Sequence, residues 1–165
     1  MADPDPLAIG AMVAYCGWDP TASVTSTVAL DGNGTRVLAL PCLHVTAVTT
    51  ITVTDQWGTV TTPTIGPALD VGWSENGCLT WNGLCGWPIG QRNIVITYTG
   101  GYDDIPDDLE AALESVANRT TSTAFGATSR RLGSASISFG AQVSSGDLLM
   151  IERMVFDRYR IPRSA

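Results

Sequence analysis

Two hydrophobic rhythms alternate along this chain. A period of two dominates from residue 24 to 60 and returns at 92–99, whereas periods of three and four mark the two ends. The cleanest two-residue alternation is RNIVITYT at 92–99. Ile94, Ile96 and Tyr98 share one face there, with Val95, Thr97 and Thr99 on the other, which predicts a strand. HVTAVTTITVTD at 44–55 is rich in β-branched residues suited to a pleated surface. It places Val48, Thr50 and Thr52 on one face and Thr49, Ile51 and Val53 on the other. SVTSTVALDGNGTRVLALP reads as two strands around the turn DGNG at 31–34, and QWGTV at 56–60 as a turn opening a return strand. Residues 61–92 are less regular and predict short strands and loops around Trp73, Trp81 and Trp87.

The helical rhythm is clearest after residue 106. Leu109, Ala112, Leu113, Val116 and Ala117 form one apolar stripe, predicting a helix over 106–119. Leu7, Met12, Val13 and Cys16 predict a short helix over 7–16, opened by DPDP. SGDLLMIERMVFDRYR predicts a third over 147–160, with Asp147 as N-cap and Leu148, Ile151, Val155 and Tyr159 on one face. Residues 120–145 carry a candidate strand at 134–139 within a stretch expected to order on meeting a partner. The fold class is therefore α+β. Strands come first and helices flank them, which predicts a mostly antiparallel sheet within one domain of residues 1–165.

Charge adds a second pattern. The chain has net charge -7, and all nine of its bases are arginine. Residues 1–118 hold thirteen acids against Arg36 and Arg92, while residues 119–165 hold seven arginines against three acids. An acidic body of this kind repels phosphate and argues against general nucleic-acid binding. Its Arg-rich end suits docking on an acidic partner. The N-terminal sequence has no signal-peptide pattern, and no run approaches a membrane span, so a soluble protein with reduced thiols is expected.

Candidate chemistry is sparse. Cys42 and the lone His44, two apart on a strand, could meet Cys78 and Cys85 in a zinc site, but nothing in the spacing asks for it. No GxSxG elbow and no phosphate-binding glycine fingerprint is present. Asp103, Asp104, Asp107 and Asp108 with Glu110 could serve a metal or a glycosidic bond. Helix-start physics explains the same residues, either with Pro106 in the first helical position or with Asp107 as cap and Glu110 closing a capping box. Neither catalytic residues nor cofactors are expected. Trp18, Trp57, Trp73, Trp81 and Trp87 leave open an alternative class, a carbohydrate-binding β module.

Three segments carry a resemblance. They are YCGWDPTASVTSTVALDGNGTRVLALPCLHVTAVTTITV, GWPIGQRNIVITYTGGYDDIPDDLEAALESVANR and IERMVFDRYR. In order and spacing they resemble the head-to-tail connector (head-completion, or adaptor) proteins of long-tailed bacteriophages, and are most similar to those of actinobacterial phages. The resemblance implies a structural protein of the virion, not an enzyme, built as a small helical core (7–16, 106–119, 147–160) that carries a mostly antiparallel β-rich insertion at 24–99. It implies a ring, commonly of twelve copies, beneath the portal at the neck, assembled in the host cytoplasm. Such a ring extends the DNA channel without reading sequence and meets the next connector, stopper or tail protein. No membrane is implicated. On this footing Arg153, Arg158, Tyr159, Arg160 and Arg163 are expected to dock on the portal or a neighbour. Asp103, Asp104, Asp107 and Asp108 are expected to form a channel wall or an acidic patch between subunits.

Overall fold

The computed structural model describes residues 5–67, 69–83, 85–123, 129–132, 135–138 and 148–161, with side chains described outside 120–123, 129–132 and 135–138. The fold is α+β. The helical unit comprises Met1–Gly17 and Pro106–Arg160, and the β unit comprises Trp18–Ile105 with Ile161–Ala165. The β unit is thus inserted in sequence between the first helix and the second.

In the helical unit, α1 spans Pro6–Cys16. Asp5 caps it by accepting the Leu7 N–H at 3.0 Å, and Pro6 fits the first turn because it has no N–H to lose. Gly17, at φ 86°, ends it in the left-handed conformation that glycine adopts without strain. The buried face is Ala8, Met12 and Cys16, four apart. The expected stripe through Leu7 and Val13 is corrected: Leu7 is exposed and Val13 half-buried. The face is set by Ala8, which lacks side-chain bulk, where α1 packs on α2.

Helix α2 (Asp107–Thr123) buries Leu109, Ala112, Leu113 and Val116, as the stripe predicts. Two short strands follow, β8 (Ser129–Leu132) and β9 (Ala135–Ser138), paired antiparallel at the position of the candidate strand. Helix α3 (Met150–Phe156) continues into a 3-10 turn at Asp157–Tyr159. Here the expected stripe is overturned. Ile151 is 75% exposed, and the buried residues are Glu152 and Phe156. The helix is turned so that this pair faces inward, because the Glu152 carboxylate finds an arginine on α2. Asp147 lies outside the described residues.

The β unit contains a four-stranded antiparallel sheet in the order β1-β7-β3-β4 and a three-stranded one in the order β2-β6-β5. The first is built from β1 (Val24–Gly32), β7 (Gly90–Gly100), β3 (Val45–Thr54) and β4 (Val60–Thr61). The second uses β2 (Val37–Ala39), β6 (Cys78–Trp81) and β5 (Val71–Trp73). DGNG therefore does not close a hairpin. β1 pairs with β7, setting Val28 against Ile96 and Leu30 against Ile94, while β2 leaves for the other sheet to bury Leu38 opposite Leu79. The gain from these cross-strand apolar pairs outweighs the local turn preference. The return strand after QWGTV is observed, with β4 pairing to β3 at Val53 and Thr54.

Strand β7 is central and keeps the predicted alternation, with Ile94, Ile96 and Tyr98 buried. In β3 the register shifts between Val45 and Ala47 and again between Val48 and Thr50. The second bulge reverses the parity of the strand. Val48 consequently lies opposite Tyr98 on the side of Ile51 and Val53, not with Thr50 and Thr52. The opposite face is lined by threonine, with hydroxyl pairs Thr25–Thr99 at 2.8 Å and Thr27–Thr97 at 2.9 Å. At the end of β7, Gly101 (φ 111°) permits a turn in which a Cβ would collide with the Ala22 carbonyl.

Candidate functional site

The polar side chains of the helical unit gather at three junctions around α3. At the first, Glu152 is 2% exposed. Its carboxylate accepts two bonds from Arg119, at 2.9 and 2.8 Å, one from the Ser115 hydroxyl at 3.0 Å and one from the Leu149 N–H at 2.8 Å. The last is half of a capping box; leucine has no acceptor to supply the other half. Burial opposes ionisation of Glu152, yet Arg119, Leu149 N–H and Ser115 together hold its carboxyl below the ordinary glutamate value. At the second, the Tyr15 hydroxyl donates to Asp157 at 2.7 Å, and the Arg160 guanidinium lies 5.2 Å from the Tyr15 ring centroid. At the third, Asp108 accepts from the Tyr159 hydroxyl at 2.8 Å and from Arg158 at 3.1 Å.

The third junction joins the two groups singled out in the sequence. Asp108, from the acidic cluster, is the partner of Arg158 and Tyr159, from the Arg-rich end. Asp103, Asp104 and Asp107 are exposed. The Pro106 carbonyl accepts from the Leu109 and Glu110 N–H groups, both at 2.9 Å, and Asp107 is the first helical residue. Three acids in the first turn then meet the positive end of the helix. Arg153 is exposed, Arg160 reaches Asp157 at 3.9 Å, and Arg163 lies outside the described residues.

The other candidate chemistries do not assemble. Cys42 is buried, and burial pushes its thiol up even as its Sγ donates to the His44 carbonyl at 3.3 Å. The His44 ring stacks on Tyr102 at 4.1 Å and 4°. Cys78 is half-buried and Cys85 exposed. Among the described residues no three His, Cys, Asp or Glu side chains gather to hold a metal ion. The tryptophans do not form one exposed row. Trp18 and Trp87 are buried, Trp81 meets Trp87 edge-on at 5.0 Å, and Trp57 alone of the five is largely exposed. Among the described residues no helix is long and apolar enough to cross a membrane.

No protein-family model and no curated protein matches the chain. Solved structures do share its fold. A chain in the virion of a native gene transfer agent (GTA) particle is similar with a TM-score of 0.59 at 20% identity, covering 96% of this chain and 75% of that one. A chain in the neck of a native GTA particle, computed with C12 symmetry, gives 0.57 at 20% identity over 96% of this chain and 80% of that one. A chain in the neck of an empty GTA particle, computed with C6 symmetry, gives 0.54 at 19% identity, with coverages of 96% and 76%. The likeness spans nearly the whole chain and is one of fold.

Several groups were not singled out from sequence. The Glu152 clamp is one; the spacing of Leu149 and Glu152, three apart at a helix start, is the signal that points to half of it. The Tyr15–Asp157 bond joins residues 142 apart, and no local pattern announces it. On α3, Ile151 of the expected face is exposed beside Met150 and Met154.

Proposed function

We propose that this chain is a structural head-to-tail connector subunit. It forms a ring beneath a portal, extends the DNA channel and links the capsid vertex to the next connector or tail component. The observation that carries this reading is fold likeness over 96% of the chain to chains from neck and virion structures. The sequence resemblance to phage connectors supports it independently. The C6 and C12 symmetries of those necks are both compatible with twelve copies. On this reading the chain carries no catalysis, and DNA passes it without sequence-specific contact.

Two finer assignments belong to the same proposal. The Arg-rich end docks on the portal or a neighbouring subunit. Arg153 and Arg158 are exposed cations, Arg158 while paired with Asp108, whereas Tyr159 and Arg160 are engaged within the helical unit and shape the end of α3. The exposed Asp103, Asp104 and Asp107 face either the channel, where negative charge keeps DNA from sticking, or a basic patch on a neighbour. Co-sedimentation with the cognate portal tests the reading: the full chain is expected to bind, and a chain lacking residues 157–165 to lose binding. Unchanged binding of the truncated chain would remove the docking assignment. No binding by the full chain would remove the connector reading.

A further inference from the structure

The four-stranded sheet leaves two long edges open. β1 ends the sheet on one side, and among the described residues its outer edge has no strand partner. On the other side, β4 covers β3 only at Val53 and Thr54, and the Val45 N–H is taken by the Glu75 carbonyl at 2.7 Å. Residues 46–52 of β3 therefore have no strand on their outer side among the described residues. A groove follows this stretch, walled by Thr46, Val48, Thr50, Pro63, Ile65 and Trp73.

Charge and proline, two of the devices that keep sheet edges apart, are missing from both runs, although β3 is bulged between Val45 and Ala47 and between Val48 and Thr50. Residues 24–30, VTSTVAL, and 45–54, VTAVTTITVT, contain no charged residue and no proline. The contrast with the rest of the molecule is informative. At net charge -7 two copies repel, and these two strips are places where they can meet without opposing charges. The open runs are 24–30 of β1, which lies along Ile94–Gly100 of β7, and 46–52 of β3, which lies along Val95–Thr99 and carries its bulges there. Both strands are antiparallel to β7, so they run parallel to one another. A second copy displaced along the hydrogen-bonding direction would bring its β1 alongside β3 in parallel register, continuing the sheet. Val24 (54% exposed) and the half-buried Val28 lie on the core side of β1. In such a pair they would cover the half-buried Val48, Ile65 and Trp73 of the groove.

We infer that the subunits join head to tail by β-sheet extension, the β1 edge of one copy filling the β3 groove of the next. The inference rests on the connector reading in taking the resulting array to close as a ring. A heterologous contact of this kind closes when its rotation divides a full turn and otherwise gives a filament. Parallel pairing is slightly weaker per residue than antiparallel pairing, which suits a contact secured by closure.

Two blocking variants separate this from other contacts. Val24→Lys puts a charge on the core side of the β1 edge, and Val48→Lys puts one in the groove. Both are checked for an unchanged circular-dichroism spectrum, with Ser26→Lys replacing Val24→Lys if that variant fails to fold. Assembly is followed by native mass spectrometry at high protein concentration and on portal rings. Unmodified chain should give species above the monomer, either variant alone should lose them, and an equimolar mixture should give heterodimers and nothing larger. Assembly by either folded variant alone would overturn the inference. So would a mixture that stays monomeric, or unmodified chain that contacts no second copy in solution or on the portal. Portal-bound rings that survive both substitutions would sink the edge contact and leave the connector reading intact. Arrays broken by the substitutions but indifferent to portal would do the reverse.

Discussion

At Glu152 the chain buries a carboxylate and satisfies it four times, from Arg119, Ser115 and the Leu149 N–H. Removing one partner of such a pair strands the other charge and costs about 3–5 kcal/mol. Glu152→Ala is therefore expected to lower the unfolding free energy read from urea denaturation by that amount. The folded carboxyl titrates below its unfolded value, so its stabilising effect is complete above the unfolded glutamate pKa. It is lost as pH falls through the lower, folded value. Acid denaturation followed by helical circular dichroism should show this loss, and Glu152→Gln should flatten that part of the profile. A parallel acid profile for the variant would contradict the assignment. The exposed Arg158–Asp108 pair is a contrasting case. Arg158 is 73% exposed, and Arg158→Ala should change stability by less than about 1 kcal/mol. The same denaturation curve measures it. Burial pushes the Cys16 thiol up to about 11, so thiol-reactive reagents at neutral pH should label Cys85 first.

Elements with one strong periodicity were legible in sequence. The apolar stripe of α2 and the alternation of β7 each bury the residues their spacing indicates. Elements decided by distant partners were not. DGNG carries hairpin residues, but Val28 and Leu30 gain more by meeting Ile96 and Ile94, some 65 residues away in sequence. The bulge in β3 sends Val48 to the core side, and an alternation count has no means of registering an extra residue. In α3 an apolar count selected Ile151, while the fold chose Phe156 and a compensated glutamate. Of the candidate site, the acidic cluster and the Arg-rich end were visible as composition. Their meeting at Asp108, Arg158 and Tyr159 was not, because they lie about 50 residues apart. Phe156 is fully buried, and Phe156→Ala should cost about 3–5 kcal/mol by thermal denaturation. Gly101→Ala should be more disruptive than Ala substitution at the exposed Gly58, because only at Gly101 would a Cβ meet the Ala22 carbonyl. Soluble yield and melting of the two variants compare them directly.

For the molecule as a whole, charge and sheet edges pull in opposite directions. Net charge -7 keeps copies apart, while the proposed contact joins the uncharged runs 24–30 and 46–52. Salt screens the first and spares the second, so self-association should strengthen as ionic strength rises from low to physiological. Sedimentation at several salt concentrations follows this, and assembly that weakens with salt would point to an ion-paired interface instead. The proposed connector role rests on the fold shared with neck chains and on the sequence resemblance to phage connectors. Electron microscopy of the chain mixed with its cognate portal tests that role most directly. A ring coaxial with the portal is expected, one copy per repeat, with an open central channel. Portal rings bare of added density, beside chain that remains monomeric, would contradict it.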